Sequence, residues 1–325
     1  MTGDLGLFGP DSVTWKVHRE PIVSLGGLRS LYLQALHPRA VAGVAQNSSF
    51  RSDPWGRLNR TSAYVGTVLY GTTAEVEAAA SRLRRLHSRM TATDPRTGET
   101  FRIDEPDLLR WVHVAEVESF LTTARRAGLK LTDAEADAYY TEQLRAAELV
   151  GLDPATVPAT AAEVAAYYEA MLPQLGLTRD GAETALFLTV PPVPDDWGST
   201  PVRLGLTLGP TRWMYFGIAS TAIALLPPWA RKLYGGLGWP TTDVTADLSV
   251  RGIRLLLQTI MATMPARYRM APMRRAALER AGMNAGRDGV IRSAAPLRPT
   301  APSPAPARPR GTPAGNRTTG TASRA

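Results

Sequence analysis

Four histidines are the residues best suited to chemistry in this chain: His18, His37, His87 and His113. The 325 residues include no cysteine, which excludes disulfide scaffolds, zinc–thiolate sites, iron–sulfur clusters, haem–thiolate sites and cysteine nucleophiles. A metal would therefore have to be held by His, Asp, Glu, Tyr or Met. All four histidines lie within the first 113 residues, so any histidine ligand must come from that part of the chain.

His113 is the first candidate ligand. In a helix it would share one stripe with Leu109, Val112, Glu116 and Phe120. A neutral imidazole in an apolar wall is a suitable axial ligand for haem iron. The alternative at this point is a core histidine that is satisfied by one hydrogen bond.

His87 is the second candidate. It would share a helical face with apolar residues, so we expect it to point inward, and Arg84 lies about one turn earlier. Two inward histidines on consecutive helices could line both sides of a flat cofactor, where the arginine would polarise bound oxygen or pair with a propionate. The alternative is a pair of satisfied core histidines with surface arginines.

The other two histidines favour structural roles. His37 precedes Pro38 and Arg39, and Arg, Asp, Pro and aromatic residues recur through residues 49–61. This pattern predicts a tightly hydrogen-bonded, bracing connection. His18 lies beside Arg19 and Glu20, which is typical of a solvated face.

Several enzyme classes are excluded because their motifs are missing. A ferritin-like di-iron site needs Glu three residues before a ligand histidine, but Arg84 and Arg110 occupy those positions. The zinc-protease, P-loop, dinucleotide-binding and serine-hydrolase motifs are also lacking. A non-haem iron site built from His87, His113 and Glu116 remains open.

Helical periodicity dominates the first 290 residues, and strand patterns are nearly absent, so we predict an all-α fold. One domain is expected over residues 1–293. Residues 294–325 are rich in Pro, Ala, Thr and Arg and are predicted to be disordered. Helices are predicted at 25–44, 72–90, 104–126, 132–149, 160–175, 180–188, 201–231, 247–264 and 272–281.

The most apolar run covers residues 214–226 and ends at a pair of prolines. It is too short to span a bilayer, so we predict a buried core helix. Trp213, Trp229, Arg231 and Lys232 flank the run and leave peripheral membrane contact open. With no transmembrane helix and no signal peptide in the pattern, a cytoplasmic protein is expected.

Positive charge is concentrated near the C-terminus. Residues 266–325 carry 12 arginines against Glu279 and Asp288, whereas the first 265 residues are close to neutral. Such a tail can bind nucleic acid or an anionic membrane, although a solubilising extension is the simpler interpretation. Because no aromatic residue follows Tyr268, specific nucleic-acid binding is not expected.

Ordered motifs across residues 15–120 resemble one bacterial and fungal family. It contains the ER-bound oxygenase of mycophenolic acid biosynthesis and the latex-clearing rubber oxygenases, and a weaker match continues to about residue 265. The motifs are Gly26-Gly27-x-Arg29, Gln34-x-x-His37-Pro38, Ser49-Phe50-Arg51-x-Asp53-Pro54, Arg57-Leu58-x-Arg60-Thr61, Arg84-x-x-His87 and Leu109-x-Trp111-Val112-His113.

The resemblance implies a globin-like helical fold and, from the rubber oxygenases, a haem b that cleaves an isoprenoid double bond with dioxygen. His113 matches the haem-binding histidine. Arg84, His87 and Ser88 match distal positions where the rubber oxygenases have Arg, Lys and Thr, so two of the three differ. Their carboxylate base has no counterpart, and their secretion signal is missing.

We therefore expect a haem b oxygenase that acts with dioxygen on an apolar isoprenoid or lipid-like small molecule. His113 would be the metal ligand, with Arg84 and His87 as catalytic and cofactor-binding groups and Ser88 beside them. The alternatives are a haem-binding sensor or carrier without turnover, the non-haem iron enzyme, and an interaction module that docks through its basic tail. The oligomeric state is not predicted.

Overall fold

The computed structural model describes residues 3–48, 53–193, 199–236, 242–265 and 268–283. In these ranges it contains fourteen α-helices and one two-stranded sheet, which confirms the all-α prediction. The predicted disordered tail lies outside the described residues, as do Ser49, Phe50 and Arg51. The helices are α1 Val13–His18, α2 Val23–Gln34, α3 Pro38–Asn47, α4 Pro54–Tyr70, α5 Thr73–His87, α6 Pro106–Arg126, α7 Asp133–Leu149, α8 Ala161–Met171, α9 Arg179–Thr189, α10 Thr200–Leu208, α11 Pro210–Ala224, α12 Pro228–Leu233, α13 Asp243–Thr263 and α14 Pro272–Arg280.

The helix starts follow from capping residues in the sequence. Thr72 begins α5 with a capping box, because its hydroxyl accepts from the Glu75 amide and the Glu75 carboxylate accepts from the Thr72 amide. Thr132 begins α7 in the same way. Thr242 forms a capping box with Thr245, so α13 begins at Asp243, four residues before its predicted start.

His37 marks the break between α2 and α3. Pro38 takes the first position of α3, and His37 is extended with φ −93°. The His37 Nδ1 accepts a hydrogen bond of 3.3 Å from the Ala40 amide, so this imidazole caps the helix. This contact agrees with the structural role predicted for His37, but the connection predicted over residues 49–61 is wrong from Pro54 onward, because helix α4 begins there.

A short hairpin joins α5 to α6 and was not predicted. Its strands, β1 Thr91–Thr93 and β2 Thr100–Arg102, pair antiparallel, with Ala92 opposite Phe101. Only the central residue of each strand is buried. The Gln46 side chain of α3 exchanges two hydrogen bonds with the Thr93 backbone, which holds the hairpin against α3.

The main core surrounds α6, which packs most closely against α2. Gly26 makes this approach possible, because an added Cβ would lie 2.9 Å from the Ser119 carbonyl oxygen. Trp111, Tyr32 and Tyr139 are among the largest side chains that are fully buried there. The helix that carries His113 is therefore central to the fold.

The prediction of a buried core helix at 214–226 is wrong for its first half. Ala219 to Leu226 are buried, but Trp213, Met214 and Phe216 are exposed. Helix α11 packs against α2, α9, α10 and α13, and its early turns extend beyond the buried contacts. Among the helices that the structure describes, none has the length and apolar character needed to cross a membrane.

Candidate functional site

The stripe of α6 that carries His113 is incompletely covered. Its five members remain partly exposed, whereas most residues on the other faces of the same helix are buried. Central helices of compact domains normally bury every apolar face. The α6 stripe is therefore less completely covered than the rest of the helix. Its members are Leu109, Val112, His113, Glu116 and Phe120.

His113 has the properties of a free ligand. Burial alone lowers the pKa of this imidazole to about 4, although its ring keeps some exposure. The ring therefore lies at the incompletely covered face of α6. Among the described residues no hydrogen bond to the ring is present, so both nitrogens of a neutral imidazole are unused there.

Glu116 lies one turn after His113 on the same face. Burial raises the pKa of its carboxyl group to about 7, and no neighbour among the described residues donates a hydrogen bond to it. Tyr64 of α4 is close enough for the Glu116 charge to raise its pKa, which reaches about 12 chiefly through burial. The Tyr64 hydroxyl is buried and has no hydrogen-bond partner in the described part of the chain.

His18 and Tyr139 also belong to this region, and the sequence analysis missed both. The His18 ring packs edge-on against Phe120 at 4.7 Å between centroids, and its Nε2 lies 3.2 Å from the Tyr139 hydroxyl. Burial lowers the pKa of His18 to about 3, so the prediction of a solvated face is wrong. The available signal was helical spacing, because buried Thr14 and Trp15 precede His18 by four and three residues.

Among the described residues, His87 makes no hydrogen bond or ion pair with His113 or Glu116. It is half-buried near the end of α5, and burial lowers its pKa while the nearby Asp104 carboxylate opposes that shift. The charged group that acts on the His87 pKa is therefore Asp104 and not Glu116. Ser88 is exposed, and its hydroxyl donates to the Arg85 carbonyl at 3.1 Å.

Arg84 is held by α5 and α7. Its Nη1 donates to the Leu149 carbonyl at 2.6 Å, and its Nη2 donates to Glu77 at 3.1 Å and to Ser81 at 3.2 Å. The guanidinium lines a surface pocket of about 560 Å³ between the N-terminal segment, α5 and α7. It is also near enough to Tyr64 to lower the pKa of that phenol, so Arg84 borders the same region from the α5 side.

The donor set suits a cofactor that needs one protein ligand. In the described ranges, no group of three or more His, Asp and Glu residues is arranged to hold a metal ion. The triad of His87, His113 and Glu116 is thus not assembled. A porphyrin supplies four nitrogens itself, so one free imidazole beside an uncovered apolar stripe and an orphaned hydroxyl fits haem.

The family model described as the ER-bound oxygenase mpaB/B'/rubber oxygenase catalytic domain matches residues 15–278, which is more than half of the chain. The protein belongs to this family. It therefore carries an oxygenase catalytic domain, and oxygenases use dioxygen. No curated protein and no solved structure matches the chain, so the globin-like arrangement implied by the resemblance stays an expectation.

Proposed function

We propose that this protein is a haem b-dependent oxygenase and that His113 would bind the haem iron. The observation that carries the proposal is the free, neutral imidazole on the uncovered α6 stripe. Family membership supports the oxygenase class. The missing three-residue metal group in the described part disfavours non-haem iron.

Haem, when bound, would supply an iron centre that activates dioxygen. The protein residues would set its surroundings. Burial keeps His113 neutral, so its nitrogen lone pair is available at neutral pH. Leu109, Val112 and Phe120 would present apolar surface and exclude water.

Arg84, His87 and Ser88 are proposed as distal groups because of the resemblance. Arg84 is the best placed of the three, since it acts electrostatically on Tyr64, which in turn lies near Glu116. A guanidinium has five N–H donors, and the three hydrogen bonds that Arg84 donates leave other N–H groups for a cofactor carboxylate. For His87 and Ser88 the proposal rests on the resemblance alone.

The proposed substrate is an apolar isoprenoid or lipid-like small molecule. The apolar members of the α6 stripe favour such a ligand over a charged one. We also propose a cytoplasmic protein with peripheral membrane association. The family description includes an ER-bound oxygenase, which is compatible with a substrate that partitions into lipid.

The test is the visible spectrum of protein purified from haem-sufficient cells, with a pyridine haemochrome assay for stoichiometry. We expect a Soret band near one haem per chain, lost in His113→Ala and retained in His37→Asn. The control keeps a capping side chain at a histidine that already has a structural partner. Full haem occupancy in His113→Ala would overturn the ligand assignment, and iron without a Soret band would overturn the haem proposal.

A second measurement separates an oxygenase from a haem sensor or carrier. Dioxygen consumption is followed with an unsaturated terpenoid, and products are analysed by mass spectrometry. The oxygenase proposal predicts substrate-dependent consumption and oxygen-containing products that His113→Ala does not form. Stoichiometric haem with no oxygen-dependent product across isoprenoid and fatty-acid substrates would favour the sensor or carrier.

A further inference from the structure

An exposed apolar surface lies on helices α11 and α13, in the C-terminal part of the chain. We call it the α11–α13 surface, defined by Trp213, Met214, Phe216, Leu248, Leu255 and Ile260. Trp213 is 70% exposed, Leu248 64% and Leu255 65%. Scattered apolar side chains are normal on proteins, but a concentration of this kind marks an interaction site.

The helices that carry these side chains are neighbours. Helix α11 packs against α13, and Trp213 and Phe216 contact each other with ring centroids 6.4 Å apart. Arg231 binds the Ala224 carbonyl at the end of α11 and the Asp243 carboxylate at the start of α13. This link places the beginning of α13 beside the end of α11.

The charge of the same segment is strongly positive. Residues 200–278 contain ten Lys and Arg residues and two acidic residues, Asp243 and Asp247. Both carboxylates are paired: Asp243 with Arg231 at 3.1 Å and Asp247 with Arg126 at 2.5 Å. Two of the basic residues are paired as well, Arg231 with Asp243 and Arg254 with Glu20. The excess positive charge comes from the others, among them the exposed Arg251, which lies one turn from Leu248 and Leu255 on α13.

We propose that the α11–α13 surface docks on the surface of a membrane that contains anionic lipid. Exposed Trp, Phe and Leu beside basic residues are typical of helices that lie in the interface, where apolar burial and attraction to anionic headgroups add. A second copy of the chain is the less favoured occupant, because pairing two such segments would bring like charges together. This inference rests on the peripheral membrane association proposed above, for which it names the docking surface, and it does not depend on a cofactor.

Vesicle co-sedimentation of the full chain tests this docking surface. Vesicles of phosphatidylcholine with 30% phosphatidylserine are compared with pure phosphatidylcholine, and Leu248→Ser/Leu255→Ser is compared with the parent protein. The matched control is Leu58→Ser/Leu86→Ser, which makes the same changes at leucines that are 42% and 50% exposed on α4 and α5. All variants keep the basic tail.

We expect the parent protein to bind the anionic vesicles. Its binding to pure phosphatidylcholine vesicles should be at least tenfold weaker. Leu248→Ser/Leu255→Ser should weaken binding to the anionic vesicles at least tenfold, because two apolar side chains no longer enter the interface, while the control should bind like the parent. Equal binding by parent and Leu248→Ser/Leu255→Ser would overturn the proposal and assign binding to the tail. No vesicle binding, with a dimer lost in that variant by light scattering, would overturn it in favour of a second copy.

Discussion

Arg29 and Glu118 form an ion pair inside the protein, between α2 and α6. The Arg29 Nη2 lies 3.1 Å from Glu118 Oε1, and Nη1 lies 2.5 Å from Oε2. The Arg29 Nε also donates to the Leu225 carbonyl at 2.9 Å, and the Tyr168 hydroxyl donates to Glu118 at 3.2 Å. One guanidinium thus joins α2 and α6 to the end of α11, and its carboxylate partner reaches α8.

Arg29→Met should destabilise the protein by about 3–5 kcal/mol, because it leaves the Glu118 charge buried without a cationic partner. Adding Glu118→Gln should recover part of that loss, since the amide is neutral and can still accept from Tyr168. Urea unfolding at pH 7 measures all three proteins. A double variant less stable than Arg29→Met would contradict this account of the pair.

Gly26→Ala should cost about 1–3 kcal/mol, because its Cβ would lie 2.9 Å from the Ser119 carbonyl oxygen and 3.1 Å from the Phe120 Cα. Gly27→Ala is the matched control, since its nearest contact is the Phe120 Cε1 at 3.6 Å. Alanine is the better helix former, so this control should be neutral or stabilising by up to about 1 kcal/mol. Thermal unfolding of both variants checks the contrast, and equal effects would show that α2 and α6 can separate at no cost.

His37 should make stability fall on acidification. Burial, helped by the positive charges of Arg39 and Arg96, lowers its pKa from 6.5 to about 4. As the pH falls, the unfolded chain binds a proton at this histidine before the folded protein does. The free energy of unfolding is therefore unaffected by this group above pH 6.5 and decreases as the pH falls toward 4. The loss from this group is about 2 kcal/mol at pH 5.

The His37→Asn variant tests this contribution, because asparagine can cap α3 but does not titrate. Urea unfolding at pH 7.5 and pH 5 should show a smaller acid loss in the variant than in the parent. His18 and His113 also have lowered pKa values, so some loss remains. An identical loss in both proteins would show that groups other than His37 cause the acid sensitivity.

Glu116 should have the opposite pH dependence in the cofactor-free protein. Burial raises its pKa from 4.5 to about 7. As the pH rises, the unfolded chain loses this proton before the folded protein does, so the free energy of unfolding falls between pH 4.5 and pH 7. Glu116→Gln should match the parent at pH 4 and exceed it at pH 8 by up to about 3 kcal/mol. Glu148→Gln, at an exposed position of α7, is the control in the same unfolding series. A Glu116→Gln variant that gains nothing at pH 8 would show that the carboxylate is well solvated.

Local signals in the sequence predicted most of the helices. Thr72 with Glu75 and Pro106 after two acids act within one or two turns, so their outcome does not depend on distant residues. The single helix predicted over 25–44 is instead two helices, divided at His37 and Pro38, and α4 was not predicted. The hairpin at 91–102 was missed because three-residue strands are too short to show alternation. The exposed half of α11 was missed because hydropathy identifies apolar residues but not which partner covers them.

The candidate site was predicted in part. The stripe of His113 and Glu116 is set by helical spacing alone, and the structure places both at an incompletely covered face. Tyr64, His18 and Tyr139 come from three other helices, so only tertiary packing brings them near α6. The placement of His87 beside Asp104 likewise depends on the hairpin that turns the chain between α5 and α6.

The Arg29–Glu118 pair also constrains how the chain folds. The two residues are 89 positions apart, and the Leu225 carbonyl that completes the guanidinium's contacts is 196 positions from Arg29. Local helices can form early, but these charges can leave water together only after long loops have closed. We expect the assembly of α2, α6 and the end of α11 to limit the folding rate, with a partly collapsed chain before it in which Arg29 is still hydrated.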